Sequence, residues 1–577
     1  MSVPDSLKDI FEHHLKPDDH SASDYFGLIR RLVEKREQES RGSSNYRLCQ
    51  EGLDQVYRLL EAEIRTNHQP PTKPVKFGTS GWRGLLGKEL NEHSVTQVAL
   101  AIGKLYEETA TNPALGEALG VSSAAEARER GCLLGYDNRF GGEIMAEAIS
   151  GTLTGMGFTV HYAGESTTGV LSAALLELRA AFSINLTPSH NPLEYGGFKF
   201  NAADGGPAAP LITDRITALA NEIIAGNSGP APRPRPELRR PCDALALWMA
   251  FVKRGGRLHG LVHEEIIRRF LDDRRLAVAI DAVHGASRVH LHRLFADRQC
   301  DRLIFLRDSS DPTFGGIAPE PSSENLRPVM DWLKNRPEPL KLGMIIDPDA
   351  DRIRFTDGEN EIDMNRFGAA AYHYLHEGKG CRGPVAKSVA TSNFANAVAA
   401  GLGEEVFESR VGFKEFKPVF GRALVMFEES DGISIIGHTP EKDAYIGLLL
   451  ALDMVMTTGR NLGGYLKDIE SRFGAYHPGR SSITVALQGG PLLAALDKLA
   501  KYRTGTTVVV GGQTRTIAGV LDIDGRKLIL DDGSWLLIRP SGTEPKVRFY
   551  VEARTADGCQ ALIETCRLLL GEIGLVD

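Results

Sequence analysis

The amino-acid sequence predicts an α/β protein built from several domains. The chain has 577 residues, and a prior of about 150 residues per domain gives roughly four domains. Short apolar runs at 132–136 and 181–186 flank a helical pattern at 143–153, and this alternation is typical of α/β sheets. A further apolar run at 342–346 ends in a strongly charged segment, as expected where a buried parallel strand leads into a loop.

Composition and charge disfavour several classes of function. The formal net charge is −8, which argues against non-specific binding of nucleic acid. The seven cysteines are scattered without a CxxC pair, and an odd number favours reduced thiols over a disulfide framework. The N-terminus has no basic-then-apolar signal, and no apolar run approaches the ~20 residues that span a bilayer. We therefore expect a cytoplasmic protein with no membrane or nucleic-acid partner.

Residues 1–70 are predicted to be helical, because apolar residues recur there at three- to four-residue spacing. Nothing in this stretch indicates chemistry. We expect it to pack either against the rest of the chain or against a second copy, which would make a homo-oligomer. Residues 68–74 (HQPPTKP) break the helical pattern and predict a linker, and the Pro- and Arg-rich residues 226–241 predict a second one.

Three carboxylates alternate in the loop after the apolar run at 342–346. Asp347, Asp349 and Asp351 occupy every second position, and Arg352 follows directly. Mg²⁺ prefers oxygen ligands and keeps places for substrate phosphate, and the carboxyl end of a strand is where α/β sheets bind ligands. For this motif taken alone, an acidic turn that is merely solvated is the alternative.

A stiff serine loop follows the second predicted strand. Two prolines restrict the sequence TPSHNP at 187–192, with Ser189 at its apex and His190 beside it. An acyl-transfer nucleophile would be expected in a G-x-S-x-G elbow, which is missing. A phosphoryl acceptor fits better, because the cation of Lys199 and a nearby Mg²⁺ site can neutralise developing charge. A turn used only for its hydrogen bonds is the structural alternative.

Three further segments offer groups that bind phosphate or sugar hydroxyls. The glycine-rich turn at 77–84 brings backbone amides and an arginine close to an anion. Glu428 and Ser430 supply a carboxylate and a hydroxyl of the kind that binds sugar hydroxyls. Near the C-terminus, residues 539–544 (RPSGTE) and Arg548 provide guanidinium groups and short donors suited to phosphate.

Together these segments resemble the α-D-phosphohexomutase superfamily, and within it the bacterial phosphoglucomutase branch. Residues 77–84, 187–192, 347–352, 427–434 and 539–548 occur in the order and spacing of its motifs. The resemblance implies a four-domain α/β architecture, with three α/β domains and a C-terminal α+β domain around a central cleft, preceded here by the helical N-terminal extension. The boundaries we expect are 1–70 for the extension, then 71–228, 242–365, 366–476 and 477–577 for the domains.

The resemblance also implies roles for individual residues. The implied metal ligands are Ser189, as phosphoserine, with Asp347, Asp349 and Asp351. The implied catalytic groups are Ser189, His190, Lys199 and Arg83, with either Lys199 or His190 moving the proton. The implied substrate contacts are Thr79, Arg83, Arg352, Gly412, Lys414, Glu428, Ser430, Lys442, Arg539, Ser541, Gly542, Thr543 and Arg548.

The activity that the resemblance implies is interconversion of glucose 1-phosphate and glucose 6-phosphate, an intramolecular phosphoryl transfer. It would use one Mg²⁺ per active site and glucose 1,6-bisphosphate as intermediate and activator. A phosphomannomutase or dual-specificity mutase is the first alternative, because mannose differs only at C2. A catalytically silent binding paralogue is the remote alternative.

Two departures from the family pattern bear on these expectations. Residues 166–169 (STTG) stand where many relatives have a Thr-Pro pair, and Asp431 stands where the branch commonly has alanine. We expect the first departure to alter a loop on the substrate side, and the second to bear on the preference among sugars.

Overall fold

The structure is a computed structural model, which describes residues 5–16, 19–20, 22–78, 80–227, 232–298, 300–541 and 545–576. Three of the implied substrate contacts, Thr79, Gly542 and Thr543, therefore lie outside the described residues. The seven cysteines are free thiols. Among the described helices, none is both long enough and apolar enough to cross a membrane.

The N-terminal extension is a three-helix unit, as predicted. Its apolar side chains form one hydrophobic cluster, in which Leu28, Leu32 and Val56 are completely buried. Ser43 caps the longest helix, because its side-chain oxygen accepts the backbone N–H of Tyr46. The helices are α1 (Lys8–His14), α2 (Tyr25–Glu37) and α3 (Ser44–Thr66).

The first α/β domain contains a seven-stranded sheet. Its strands are β1 (Phe77–Gly78), β2 (Gly81–Leu85), β3 (Cys132–Tyr136), β4 (Val160–Glu165), β5 (Phe182–Leu186), β6 (Tyr195–Ala202) and β7 (Arg239–Pro241). Its helices are α4 (Glu92–Glu107), α5 (Pro113–Leu119), α6 (Ala124–Arg130), α7 (Gly142–Gly155), α8 (Thr168–Leu178) and α9 (Pro210–Glu222). The order β1-β2-β6-β5-β3-β4-β7 makes β5 and β3 parallel neighbours. Their carboxyl ends, and the loops that follow them, therefore lie side by side.

The predicted linker at 226–241 is partly wrong, because its last residues form a strand. Strand β7 pairs in parallel with β4 at the edge of the first sheet. Arg239 stabilises this position, since its guanidinium lies 3.8 Å from the centre of the Tyr162 ring and 2.5 Å from the Glu147 carboxylate. Proline is tolerated at such an edge strand. Residues 228–231 of the same stretch lie outside the described residues.

The second α/β domain positions the acidic loop. Its strands are β8 (Leu276–Asp281), β9 (Leu303–Leu306), β10 (Leu340–Ile346), β11 (Ile353–Thr356) and β12 (Glu361–Ile362), in the order β12-β11-β10-β8-β9. Its helices are α10 (Ala244–His259), α11 (His263–Asp272), α12 (Arg288–Leu294) and α13 (Ser323–Lys334). Strand β10 is parallel to β8 and antiparallel to β11, with Ile346 opposite Ile353. The acidic segment is therefore a tight turn between two buried strands.

The third and fourth domains complete the predicted architecture. The third contains β13 (Val385–Ser388), β14 (Val406–Ser409), β15 (Val425–Glu428), β16 (Gly432–Ile435), α14 (Met364–His373), α15 (Phe394–Leu402), α16 (Ala444–Thr458) and α17 (Leu462–Phe473). The fourth contains β17 (His477–Thr484), β18 (Thr507–Val510), β19 (Gln513–Leu521), β20 (Arg526–Leu530), β21 (Trp535–Pro540), β22 (Lys546–Ala553), α18 (Gly489–Asp497) and α19 (Ala556–Glu572). Its six strands form one antiparallel sheet. The α/β class, the four domains and the helical extension are thus confirmed.

The first three domains share one continuous hydrophobic core. It includes Leu175 of α8, Trp248 of α10, Ile346 of β10 and Tyr445 of α16, all of them buried. Burial of apolar surface across all three domains fixes their strand ends relative to one another. The loops after β5 and β10 can therefore meet at a defined distance.

Candidate active site

The three aspartates converge at the carboxyl end of β10. Asp347, Asp349 and Asp351 are buried, and one carboxylate oxygen from each lies within 4.8 Å of the others. The turn folds around Asp347, whose Oδ1 accepts the backbone N–H groups of Asp351 and Arg352, each at 3.0 Å. Ala350 has a φ of +52°, a left-handed conformation that allows the chain to turn sharply.

This carboxylate cluster has the donor set of a divalent-cation site. Asp349 Oδ1 and Asp351 Oδ1 are buried and have no hydrogen-bond partner among the described residues, which calls for a ligand or water. Burial and the neighbouring carboxylates raise the pKa of Asp347 well above its usual range. Because Mg²⁺ takes hard oxygen ligands, the residues present fit this ion.

Two lysines contact the Oδ2 atoms of Asp349 and Asp351. Lys199 Nζ donates to Asp349 Oδ2 at 2.6 Å and to Asp351 Oδ2 at 2.9 Å. Lys442 Nζ lies 3.1 Å from Asp351 Oδ2. Burial lowers the pKa of Lys199, but the two carboxylates outweigh burial and raise this pKa above the ordinary value. Since Lys199 lies on β6 and Lys442 in the third domain, three domains assemble the cluster.

Ser189 is placed directly against the aspartates. It is buried in the loop after β5 and has a φ of +58°, an uncommon conformation for a residue other than glycine. Its N–H donates to Thr187 Oγ1 at 2.9 Å, and its Oγ donates to Asp347 Oδ2 at 2.7 Å. The loop lies so close to β6 that a Cβ at Gly197 would be 2.1 Å from the Thr187 carbonyl oxygen.

His190 and Arg83 lie beside the serine. His190 Nδ1 is 3.3 Å from Ser189 Oγ. Burial, with the positive charges of Arg352 and Arg83, lowers the pKa of His190 well below its usual range. Arg83 comes from β2, where it is the register partner of Gly197 on β6. The predicted serine, histidine and arginine are therefore brought together.

Arg139 is a functional residue that sequence reasoning missed. Its guanidinium donates to the carbonyl oxygens of Ser189 at 2.8 Å and Pro192 at 2.7 Å, and also to that of Asn191. Asp137 Oδ2, two residues earlier, accepts the hydroxyl of Thr187 at 2.6 Å. Charged residues directly follow β3 in the sequence. Their contact with the serine loop follows from the parallel pairing of β3 and β5.

Thr168 is a second residue that was missed, and it lies within the 166–169 departure. Its Oγ1 donates to Asp349 Oδ2 at 2.6 Å, and its backbone N–H donates to the Asp349 carbonyl oxygen at 2.8 Å. The segment therefore connects the first domain to the acidic turn at 347–352 of the second domain, which we call the metal loop. A hydroxyl is required for the first of these contacts, which proline could not make.

The predicted sugar loop is a buried turn between β15 and β16. Glu428 Oε1 accepts the backbone N–H of Gly412 at 2.7 Å. Burial is the main cause that raises the pKa of Glu428 to about 7. Ser430 is half-buried on the same turn, and Lys414 lies half-buried in the short helix Phe413–Val419. The side chain of Lys442 crosses the turn closely, since a Cβ at Gly432 would lie 2.2 Å from its Cδ.

Asp431 forms an ion pair that joins two domains. Its Oδ2 accepts Arg354 Nη2 at 2.6 Å and Nε at 3.2 Å, and Arg354 belongs to β11 of the second domain. The backbone N–H of Ile353 also donates to the Asp431 carbonyl oxygen at 2.8 Å. These contacts give Asp431 a structural role that joins the metal loop and the sugar loop, and its effect on sugar preference stays a prediction.

The two C-terminal arginines lie opposite each other in the fourth domain. Arg539 on β21 is the register partner of Arg548 on β22, which places both side chains on one face of the sheet. Arg539 Nη2 lies 3.0 Å from Asp524 Oδ2, and that carboxylate also accepts the backbone N–H of Val411 at 3.1 Å. The N–H of Ser541 donates to the Lys546 carbonyl oxygen at 2.8 Å, within the β21–β22 connection.

A hydroxyl on a stiff loop, a hard-cation site and converging lysines define a phosphoryl-transfer enzyme of the α/β class. Four family models for phosphoglucomutase/phosphomannomutase match the chain in order. They describe α/β/α domain I at residues 74–226, domain II at 263–360, domain III at 363–473 and the C-terminal domain at 485–567. The chain belongs to this family, and it is a phosphohexomutase, an enzyme that moves phosphate within a sugar.

Individual relatives agree with this assignment. A phosphoglucomutase/phosphomannomutase of Thermococcus kodakarensis is 26% identical over 86% of this chain and 98% of its own length. A phosphoglucomutase of Komagataeibacter xylinus is 27% identical over 87% and 92%. A crystal structure assigned to the phosphomannomutases, from Thermus thermophilus, superposes with a TM-score of 0.69 at 27% identity, covering 86% of this chain and 99% of that one.

Proposed function

We propose that this phosphohexomutase interconverts glucose 1-phosphate and glucose 6-phosphate through a phosphorylated Ser189. The observation that carries the role of Ser189 is the 2.7 Å hydrogen bond from its Oγ to Asp347 Oδ2. That contact places the hydroxyl at the tip of the TPSHNP loop beside the donor set that fits Mg²⁺. The choice of glucose rests on the resemblance to the phosphoglucomutase branch and on the relative of that name.

The proposed cycle has two balanced transfers. In the first, the Ser189 Oγ–P bond breaks as a bond forms between phosphorus and the free sugar oxygen. The sugar hydroxyl gives up its proton to a basic group, and the leaving Ser189 Oγ takes up a proton. This gives glucose 1,6-bisphosphate and the free serine. After the sugar has turned over, Ser189 Oγ gives up its proton and attacks the other phosphate, the bond between that phosphorus and the sugar oxygen breaks, and the departing sugar oxygen takes up a proton. The enzyme regains its phosphoryl group, and no net proton or phosphate is consumed.

Residues of this chain would orient the reaction and neutralise its charge. Mg²⁺ bound by Ser189 and the three aspartates would neutralise charge on the transferring phosphoryl group. Arg83 adds a guanidinium from β2 of the first sheet. His190 lies close enough to move the proton, because its Nδ1 is 3.3 Å from Ser189 Oγ. Lys199 is the other candidate, but its hydrogen bonds go to Asp349 and Asp351, and these carboxylates raise its pKa, which disfavours it as a base.

The sugar and its second phosphate would be held by the third and fourth domains. Glu428 is a buried acceptor for sugar hydroxyls, with Ser430 and Lys414 nearby on the same domain. Arg539 and Arg548 would bind the phosphate that is not being transferred, because guanidinium forks match phosphate geometry. The same pair would serve both half-reactions, since the serine and the metal site stay in place. Thr79, Gly542 and Thr543 are proposed as further substrate contacts from the sequence alone.

Intact-mass measurement tests the phosphoserine directly. After incubation with glucose 1,6-bisphosphate, the purified protein should carry the added mass of one phosphoryl group, and Ser189→Ala should not. Thr187→Ser is the matched control, because it alters a neighbouring hydroxyl but keeps one for the N–H of Ser189. Phosphorylation that persists in Ser189→Ala would refute the assignment.

A phosphomannomutase is the second candidate, because several relatives carry that name alone or together with phosphoglucomutase. The kcat/KM values for glucose 1-phosphate and mannose 1-phosphate decide between the two. We expect the larger value for glucose 1-phosphate. A larger value for mannose 1-phosphate would refute the glucose assignment but leave the phosphohexomutase class unchanged.

A further inference from the structure

The N-terminal extension contacts the far end of the serine loop. Leu193, the residue after the TPSHNP sequence, packs against the hydrophobic cluster of the three helices. The next residue, Glu194, forms an ion pair with Arg30 of α2, with 2.5 Å between Oε2 and Nη2. Four residues after Ser189, the chain is therefore anchored to helices that lie outside the four family-model matches.

A second contact reaches the serine loop through Arg139. The ring of Tyr57 on α3 lies 4.6 Å from the ring of Phe140, between centroids. Phe140 directly follows Arg139, whose guanidinium holds the Ser189 and Pro192 carbonyl oxygens. The extension thus contacts the serine loop in two ways. It packs against Leu193 and Glu194, which follow the loop, and against Phe140, which is next to the arginine that holds the loop.

A third contact connects the extension to the second domain. Val33 of α2 packs so closely on the loop at 313–316 that a Cβ at Gly316 would lie 3.0 Å from Val33 Cγ1. In the same loop, the Phe314 ring lies 4.9 Å from the Arg139 guanidinium carbon. The three helices therefore bridge the domain that carries Ser189 and the domain that carries Asp347.

We propose that the N-terminal extension is a brace that fixes Ser189 against the metal loop, with Arg30, Leu193 and Glu194 as positioning residues. The inference rests on the proposed role of Ser189. Phosphoryl transfer depends on position above all, and Ser189 has the uncommon φ of +58°, which its surroundings must maintain. Its 2.7 Å contact with Asp347 joins two domains that already share one core, and contacts of the extension with both domains help to hold that distance.

The experiment uses the full-length protein and a charge reversal with rescue. Arg30→Glu places two carboxylates together, and Arg30→Glu with Glu194→Arg restores an opposite pair. The matched control is Arg31→Glu, because the neighbouring Arg31 lies on the same helix and pairs only within it among the contacts seen, with Glu34 at 3.1 Å. Leu193→Ala removes the apolar anchor without changing charge.

Four quantities are measured for each variant: the rate of Ser189 phosphorylation by glucose 1,6-bisphosphate, kcat, KM and Tm. A misplacement near 1 Å can lower a rate by about a hundredfold. We expect Arg30→Glu and Leu193→Ala to lower the phosphorylation rate and kcat by about ten- to a hundredfold, with KM unchanged. The Tm of Arg30→Glu should equal that of Arg31→Glu, since half-exposed ion pairs contribute little to stability. The double reversal should restore the rate.

The outcomes separate the brace from the phosphoserine itself. If the wild-type protein carries no phosphoryl group after incubation with glucose 1,6-bisphosphate, the proposed function fails, whatever the variants do. If the wild type is phosphorylated at Ser189 but Arg30→Glu and Leu193→Ala match Arg31→Glu in both rates, the brace is refuted. A loss of rate that the double reversal leaves uncorrected, with Leu193→Ala at the wild-type rate, also refutes it.

Discussion

Replacing Asp431 tests whether this carboxylate is structural. Its carboxylate and Arg354 form a buried ion pair at 2.6 Å, with exposed side-chain fractions of 4% and 10%. Breaking such a pair by removing one partner costs about 3–5 kcal/mol. In the variant, Arg354 still has a second carboxylate partner, Glu361, at 2.9 Å. We therefore expect a smaller loss, about 2 kcal/mol in the free energy of unfolding, for Asp431→Asn. Asp431→Ala should lower the free energy of unfolding by about 1 kcal/mol more than Asp431→Asn, because the backbone φ of +71° at this position disfavours alanine.

The assay is thermal unfolding, with activity on both sugars measured in parallel. A loss of about 2 kcal/mol corresponds to a Tm lower by about 4–8 °C for a cooperative unit of about 150–250 residues, and by more for a single domain of about 100 residues. Glu361→Gln is the control, because it removes the more exposed partner of Arg354 and should cost less. The ratio of kcat/KM for glucose 1-phosphate to that for mannose 1-phosphate should stay at the wild-type value in Asp431→Asn. An unchanged Tm with a changed ratio would show that Asp431 contacts the sugar.

Three other substitutions address the metal, the sugar and the phosphate. Asp349→Asn should lower kcat by about a hundredfold or more, with the fold intact, since it removes an anionic ligand. Unchanged Mg²⁺ affinity by calorimetry and an unchanged rate would contradict the metal assignment. Glu428→Gln should raise KM for the sugar phosphate more than it slows Ser189 phosphorylation by glucose 1,6-bisphosphate, and equal losses would move Glu428 out of the sugar site. Arg548→Ala should lower kcat/KM by about ten- to a hundredfold in both directions; wild-type values for Arg548→Ala and Arg539→Ala alike would refute the phosphate clamp.

The parts of the site that lie within short motifs were predictable from the sequence. Alternation of Asp347, Asp349 and Asp351 after an apolar run indicated ligands at a strand end, and the α/β rule placed that end at the ligand-binding edge. The TPSHNP loop was predicted for the same reason. That Ser189 Oγ meets Asp347 Oδ2 requires two loops 158 positions apart to converge, and only the family resemblance supplied that expectation.

Residues whose roles depend on tertiary packing were missed. Arg139 acts 50 positions from Ser189, and Thr168 acts 181 positions from Asp349. Neither has a local pattern that distinguishes it from an ordinary charged or capping residue. Arg239 belonged to a segment rich in proline and arginine, a composition that indicates a linker, yet stacking on Tyr162 and pairing with β4 made it an edge strand.

Three cations offset the carboxylates of the acidic turn without any ion. Three carboxylates face three cations: Lys199 and Lys442 at hydrogen-bonding distance, and Arg352, whose Nε is 3.7 Å from Asp351 Oδ1. The protein should therefore fold without the metal, and chelation should abolish activity while leaving Tm nearly unchanged. A phosphoryl group on Ser189 carries about two negative charges, which a divalent cation cancels. The metal and the phosphoryl group thus form a neutral pair, and each should increase the affinity of the site for the other.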